Sequence, residues 1–429
     1  MVKLIIKNMK KIYFCLWLLI PATTFAQQPD TLGLDTCYQL AKEHAPLLQQ
    51  SPLLKQQLDL AIQNLNSRHL PQLSFNAQAT YQSDVTTIPF KIPNQQVPEV
   101  PKDQYRATLD LQQLIFDGGR LQKQRGILQT SNDLSMQQQD ILFHQLKNQL
   151  SDLYESALML QTDQQILDLK KQTLQQQINL AEASVKNGTA LPSKKDKLQA
   201  AALELEQQLK SLQSDRQAVL QTLSLMTGKK WDDSTRFILP SVSFPTENEA
   251  MDRPELKQFD MQKTLVAQNM SLLQTENIPE LTGFVQGGYG RPGLNMLSDQ
   301  FKWFYMAGLR LNWRLWDWGY RRRQQQSLET DSRQIDLQKE NFLLETQIKL
   351  GRQMQAIRFL QDDIDQDRQI VALREKISQA SAAQLANGII TPTEYLIQLN
   401  DETSARITQQ THLIQLIFAK LNYQLLKSH

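Results

Sequence analysis

Two periods of apolar residues divide this chain. Four segments alternate apolar and polar side chains with period two, as a strand with two unlike faces does. Leu73, Phe75, Ala77, Ala79 and Tyr81 oppose Ser74, Asn76, Gln78, Thr80 and Gln82. Tyr105, Ala107, Leu109 and Leu111 oppose Arg106, Thr108, Asp110 and Gln112. Val285 and Tyr289 mark a third strand, and a fourth sets Tyr305, Ala307, Leu309, Leu311 and Trp313 against Arg310, Asn312 and Arg314. Strands of about 9–11 residues with aromatics near their ends suit the wall of a membrane β-barrel. A soluble, half-buried sheet shows the same alternation.

The rest reads as helix. No proline interrupts Arg120 to Lys186 or Tyr320 to Ala386, and leucines such as Leu121, Leu128, Leu142, Leu146, Leu150 and Leu153 recur at roughly heptad spacing. At 1.5 Å per residue each run reaches on the order of 100 Å. A second helix follows each, from about Ser193 to Met226 and from about Thr393 to Leu426, with Thr227-Gly228 as a stop. Asn-Gly pairs at 187–188 and 387–388 predict tight turns joining antiparallel helices at a distal tip. Two helical hairpins of a soluble coiled-coil protein would look alike.

These elements occur twice. Pro46 and Pro71 recur 208 residues later as Pro254 and Pro279. Asp117, Gly119, Asn187, Gly188 and Pro192 recur 200 later as Asp317, Gly319, Asn387, Gly388 and Pro392. The 8-residue difference falls between Pro71 and Asp117, in the proline-bearing connection 83–104. The predicted organisation is a signal peptide (1–26), a first structural repeat (27–228: helix, strand, strand, long helix, helix), an irregular linker (229–253) and a second repeat (254–429).

Charge and composition narrow the class. Lys10 and Lys11 precede an apolar run from Ile12 to Ile20 and a Thr24-Phe25-Ala26 cleavage site, an export signal in which Met9 is an alternative start. Its removal takes four lysines and no acids, so Lys+Arg falls from 46 to 42 against 44 Asp+Glu, a net −2. That balance argues against a nucleic-acid partner. Cys37 is then the only cysteine, so no intrachain disulfide is expected. With no second long apolar stretch, any membrane crossing must use strands.

Candidate chemistry is sparse. His44, His69, His144, His412 and His429 form no metal spacing and accompany no nucleophile. Gly288-Tyr289-Gly290-Arg291-Pro292-Gly293 fits G-x-G-x-x-G, but it contains a proline and no helix follows at once, so a strand end explains it better than a phosphate site. No enzyme, metal or cofactor is expected.

Two strands per half give four per chain, while barrels of this kind close with about eight or more. Unpaired edges are not tolerated in lipid, so oligomerisation is required: three copies would supply 12 strands and two would supply 8. Taken together the residues resemble the TolC-like outer-membrane efflux and secretion channels. Leu32-x-Leu34, Ala41 and Ala45-Pro46, with Arg253-Pro254-Glu255-Leu256 as a second copy, resemble that family's helix opening. Phe116-Asp117-Gly118-Gly119 and Trp316-Asp317-Trp318-Gly319 resemble its strand-to-helix turn.

The resemblance implies a mostly α fold: a homotrimer with a 12-stranded transmembrane barrel in the outer membrane, continued into the periplasm by a long α-helical barrel of coiled coils. It implies a passive conduit of a tripartite efflux or type I secretion system, docked to a membrane-fusion adaptor and through it to an inner-membrane pump. Family docking motifs of Val-Gly-Leu/Thr type map onto Asn187-Gly188-Thr189 and Asn387-Gly388-Ile389, with asparagine in place of valine. The family's constricting aspartates map onto Glu394 and Ile397, and its tip arginine and tyrosine onto Ile390 and Leu385. Lys194 is the counterpart of Glu394; either the two pair across neighbouring helices as a periplasmic gate, or both are solvated charges. Arg106, Asp110, Arg310, Asn312 and Arg314 are expected to line the barrel lumen. The alternative class is a soluble periplasmic coiled-coil structural or adaptor protein, distinguished by whether detergent is needed.

Overall fold

The computed structural model describes residues 31–86, 101–243 and 250–427. The expected signal peptide and most of the proline-bearing connection lie outside the described residues. In chain order the elements are β1 (Thr31–Leu32), α1 (Leu34–His44), α2 (Ser51–Asn66), β2 (Gln72–Tyr81), β3 (Asp103–Phe116), α3 (Arg120–Lys186), α4 (Pro192–Thr227), β4 (Arg236–Phe237), α5 (Pro254–Thr275), β5 (Glu280–Arg291), β6 (Lys302–Asn312), α6 (Tyr320–Ala386) and α7 (Pro392–Lys427).

The helix bounds follow local rules. Pro192, Pro254 and Pro392 each sit at the start of a helix, where the missing N–H costs nothing and φ is preset. Helix α4 stops at Gly228, whose φ of +70° and close approach to the His44 imidazole both exclude a side chain. Long helices α3 and α6 are each 67 residues, and their return helices α4 and α7 are each 36. The long helices therefore reach about 100 Å, as the uninterrupted pattern predicts. Among the described residues no helix is long and apolar enough to cross a membrane.

Four antiparallel strands form one sheet in the order β2-β3-β5-β6, leaving β2 and β6 as edges. Two strands from each half therefore meet at the β3–β5 seam. A core joins α1 to the middle of α3 and to the C-terminal parts of α4 and α7. It contains Leu34, Cys37, Leu150, Tyr154, Leu158, Leu223, Trp231, Phe237 and Phe418. Burial pushes the free Cys37 thiol up to about 12, which makes it inert.

The linker departs from expectation. Residues 236–237, expected to be irregular, pair in parallel with Thr31–Leu32. The Tyr154 hydroxyl fixes this pair, donating to Leu32 O at 2.6 Å and accepting from Ile238 N at 3.0 Å. A strand pair of two residues leaves no periodicity to read.

Candidate functional site

The sheet has two chemically distinct faces. Odd-numbered positions put Leu73, Phe75, Leu109, Leu111, Val285, Leu309 and Leu311 on one face, with Tyr81, Tyr105, Tyr289, Trp303 and Tyr305 at its loop end. Phe75, Leu109, Trp303, Tyr305 and Leu309 are 51–82% exposed. An apolar sheet face this bare needs a cover. Trp313 follows at the helix end, its indole N–H donating to Asn277 O at 2.9 Å. From Tyr305 to Trp313 is eight residues, about 26 Å at 3.3 Å each. Membrane barrels carry an apolar band about 25 Å tall between two aromatic girdles.

Even-numbered positions form the polar face, which holds Arg106, Asp110, Arg310 and Asn312. Asp110 is buried and joins three strands. It accepts from Asn76 Nδ2 at 2.8 Å, from Thr108 Oγ1 at 2.8 Å, and from Gln286 Nε2. Its charge is thus spent inside the wall. Arg106 lies 5.8 Å from the Phe304 ring and Arg310 5.3 Å from Phe284. Arg314 differs: β6 ends at Asn312, and Arg314 sits below it with Nη1 3.9 Å from Glu276 Oε2.

At both strand-to-helix turns an aspartate caps the long helix. Asp117 accepts from Gly119 N at 2.9 Å and Leu121 N at 2.8 Å. Asp317 accepts from Gly319 N at 2.9 Å and Arg321 N at 3.2 Å, with Arg321 Nε at 3.1 Å. Burial pushes the Asp317 carboxyl up, but the hydrogen bonds from Arg321 and Gly319 prevail and hold it below its ordinary range. Gly119 and Gly319 have φ of +81° and +75°, which explains the glycine in each motif.

The tips are built alike. Gly188 N donates to Val185 O at 3.0 Å and Thr189 N to Ser184 O at 2.9 Å. Gly388 N donates to Leu385 O at 3.1 Å and Ile389 N to Gln384 O at 2.9 Å. Each is a Schellman stop, so Asn-Gly has a complete structural explanation. Within the protomer Lys194 and Glu394 do not pair. Lys194 Nζ donates to Leu385 O at 2.8 Å, tying α4 to the end of α6. Glu394 closes a capping box, accepting from Thr391 N at 2.7 Å while its own N–H donates to Thr391 Oγ1. Those contacts with Thr391 hold its carboxyl below the usual range. The spacing Thr391-x-x-Glu394 is that of a capping box, and a side chain so engaged is a poor partner for Lys194. The pattern gave no sign of the exposed apolar pair at the tips, Leu191 and Ile389.

Residues 37–229 match the sequence family described as Outer membrane efflux protein. The fold over nearly the whole chain is similar to the outer membrane protein VceC from Vibrio cholerae (17% identity, TM-score 0.65, 92% of this chain and 96% of that one). This chain has the TolC-like channel fold. It is also similar to the CmeC outer membrane channel of Campylobacter jejuni (13% identity, TM-score 0.64, 90% and 85% covered). The open-state MtrE outer membrane channel of Neisseria gonorrhoeae gives 12% identity, a TM-score of 0.66 and coverage of 92% and 89%. No curated protein matches the sequence. The motif-based resemblance to the TolC-like efflux family agrees with the family match over residues 37–229 and with the fold.

Proposed function

We propose that three copies of this chain form the outer-membrane conduit of a tripartite efflux or type I secretion system. In this reading each copy, built as an internal repeat, supplies four strands of a 12-stranded barrel and four long helices of a periplasmic tube. The observation that carries it is the bare apolar face between two aromatic bands, on a sheet whose edges β2 and β6 are open. Lipid covers such a face, and lipid does not tolerate open edges. β6 of one copy therefore pairs with β2 of the next.

The helices support the same closure. On α6 the exposed Leu337, Ile348, Phe359 and Ile370 recur every 11 residues, a period that keeps one face of a nearly straight helix. The α3 positions 200 earlier include Gln137, Met159 and Lys170, and these are engaged inside the chain. Gln137 Nε2 donates to Pro254 O at 2.9 Å, Met159 packs on the core, and Lys170 Nζ reaches Asn400 Oδ1 at 2.7 Å. What covers α3 within the chain covers α6 from a neighbouring copy.

At the distal end, Asn187-Gly188-Thr189 and Asn387-Gly388-Ile389 with Leu191 offer two kinds of apolar tip to a membrane-fusion adaptor, and through it to an inner-membrane pump. Lys194 holds the tip through Leu385, and Glu394 through Thr391, each acting separately in closure. The soluble-rod alternative leaves the apolar sheet face in water. Purifying the mature protein tests the choice: detergent-dependent trimers with single-channel currents in planar bilayers are expected, whereas a stable monomer in plain buffer would overturn the reading.

A further inference from the structure

The polar face of the sheet carries a feature that alternation does not predict. Phe284 and Phe304 point inward, each directly opposite a glycine: Phe284 pairs with Gly308 and Phe304 with Gly288. The glycines make room for the rings. A Cβ on Gly308 would lie 3.0 Å from Phe284 Cζ, and one on Gly288 would overlap the Phe304 ring. Over each half-buried ring stands an exposed guanidinium, Arg310 on Phe284 and Arg106 on Phe304. Among the described residues neither guanidinium is ion-paired. The nearby carboxylate of Asp110 is consumed by Asn76, Thr108 and Gln286.

The result is one three-layer stack, glycine, phenylalanine, arginine, built twice. The two levels are four residues apart along β5, about 13 Å. A ring beneath each arginine fixes its plane, and a flat guanidinium so held has a free face and free N–H edges. Such a group bonds a carboxylate or sulfonate in its plane and stacks an aromatic ring on its face. A cation or an inorganic anion can use at most part of this.

We propose that these stacks form two tiers of binding sites for aromatic organic anions along the barrel lumen, so that solutes of this class are retained in transit. The proposal rests on the conduit reading, since only a closed barrel turns this face into a lumen.

The test uses the reconstituted oligomer in planar bilayers, with 2-naphthalenesulfonate and methanesulfonate added at equal concentration to the same side. Interruptions of the open current by the naphthalene probe are expected to last about two- to fivefold longer, the factor that stacking on an exposed guanidinium supplies. The Arg106→Lys/Arg310→Lys variant keeps the charge without the flat face, so it should lose this difference while retaining anion preference. Arg106→Gln/Arg310→Gln should lose both. Fluorescence of the naphthalene probe bound to detergent-solubilised oligomer gives the same comparison without current. Equal interruption by the two anions, or a difference that survives in the glutamine variant, would overturn the stacks alone. Absence of both conductance and oligomer would overturn the conduit, and the lumen with it.

Discussion

The two helical hairpins have the same lengths, yet several matching positions along them make different contacts. Near the tips, Leu174, Ile178, Leu198 and Leu205 of the first hairpin are buried in one cluster that also takes in Leu385, Tyr395 and Leu399 of the second. The residues 200 positions later are Arg374, Ser378, Gln398 and Ala405. There the second hairpin is bridged by polar contacts: the ion pairs Arg374 Nη1 to Asp401 Oδ2 at 2.8 Å and Arg406 to Glu375 at 3.3 Å, and a hydrogen bond between His412 Nδ1 and Asp367 Oδ2 at 2.7 Å. Backbone geometry thus tolerates a change from apolar to ionic contact, provided that caps and turns stay fixed. The capping aspartates 117 and 317 and glycines 188 and 388 are the constant parts.

Substitutions can break this contrast. The largest effect is expected for Leu198→Ala, which empties a fully buried site and should cost about 2–5 kcal/mol in denaturant unfolding. Gln398→Ala, its counterpart, should change stability by no more than about 0.5 kcal/mol. If the two cost the same, these matching positions are not held differently.

The hydrogen-bonded Asp367–His412 contact sharpens the contrast next. Asp367 is only 8% exposed, so Asp367→Asn should cost about 1–3 kcal/mol by weakening its bond to His412. The double change Asp367→Leu/His412→Leu copies Leu167 and Leu212 of the first hairpin. It should be neutral or stabilising, because apolar replacement of a buried pair removes its desolvation cost.

The strand-to-helix turns differ in a similar way. Gly118 has φ +66°, and a Cβ there would lie 2.5 Å from Ile278 Cγ2. Its counterpart Trp318 also has positive φ, +54°, the one such non-glycine among the described residues. Gly118→Ala should therefore destabilise by about 1–3 kcal/mol, whereas Trp318→Gly should relieve about 1 kcal/mol of backbone strain. Thermal unfolding of the two variants in detergent measures both.

The smallest expected effect depends on pH. Burial, with Asp152 nearby, raises the Glu155 carboxyl to about 7. The folded state then prefers the protonated form, so this group's contribution is lost as pH rises from the ordinary carboxylate range through about 7. Its counterpart is Gln355. Glu155→Gln should raise stability by about 1 kcal/mol at pH 8 and leave it unchanged at pH 4, as compared by urea titration at the two values.

Much of the fold was legible because its periods are long. Sixty-seven residues without proline can only be read one way, and four strands with apolar odd positions state which face is bare. Trp313 and Arg314 continue that alternation past the end of β6, since a pattern does not show where ladder hydrogen bonds stop. At the tips the charges of Lys194 and Glu394 suggested a pair. The real partner of Lys194 is a backbone carbonyl, which leaves no mark in a sequence, whereas Glu394 is taken by Thr391 three residues before it, at capping-box spacing. The inward Phe284 and Phe304 escaped for a related reason: an apolar residue on a polar face makes sense only beside the glycine across the ladder.

The most direct test of the central claim is a crosslink between copies. Leu111 pairs with Val285 at the β3–β5 seam. Their counterparts by the 200 and 208 offsets are Leu311 on β6 and Ala77 on β2. Directly opposed strand residues are close enough for a disulfide. Leu311→Cys/Ala77→Cys in a Cys37→Ser background, oxidised in outer membranes, should run on denaturing gels as a reducible covalent trimer. Protein that stays monomeric, or that forms a ladder continuing past three copies, would contradict a barrel closed by three chains.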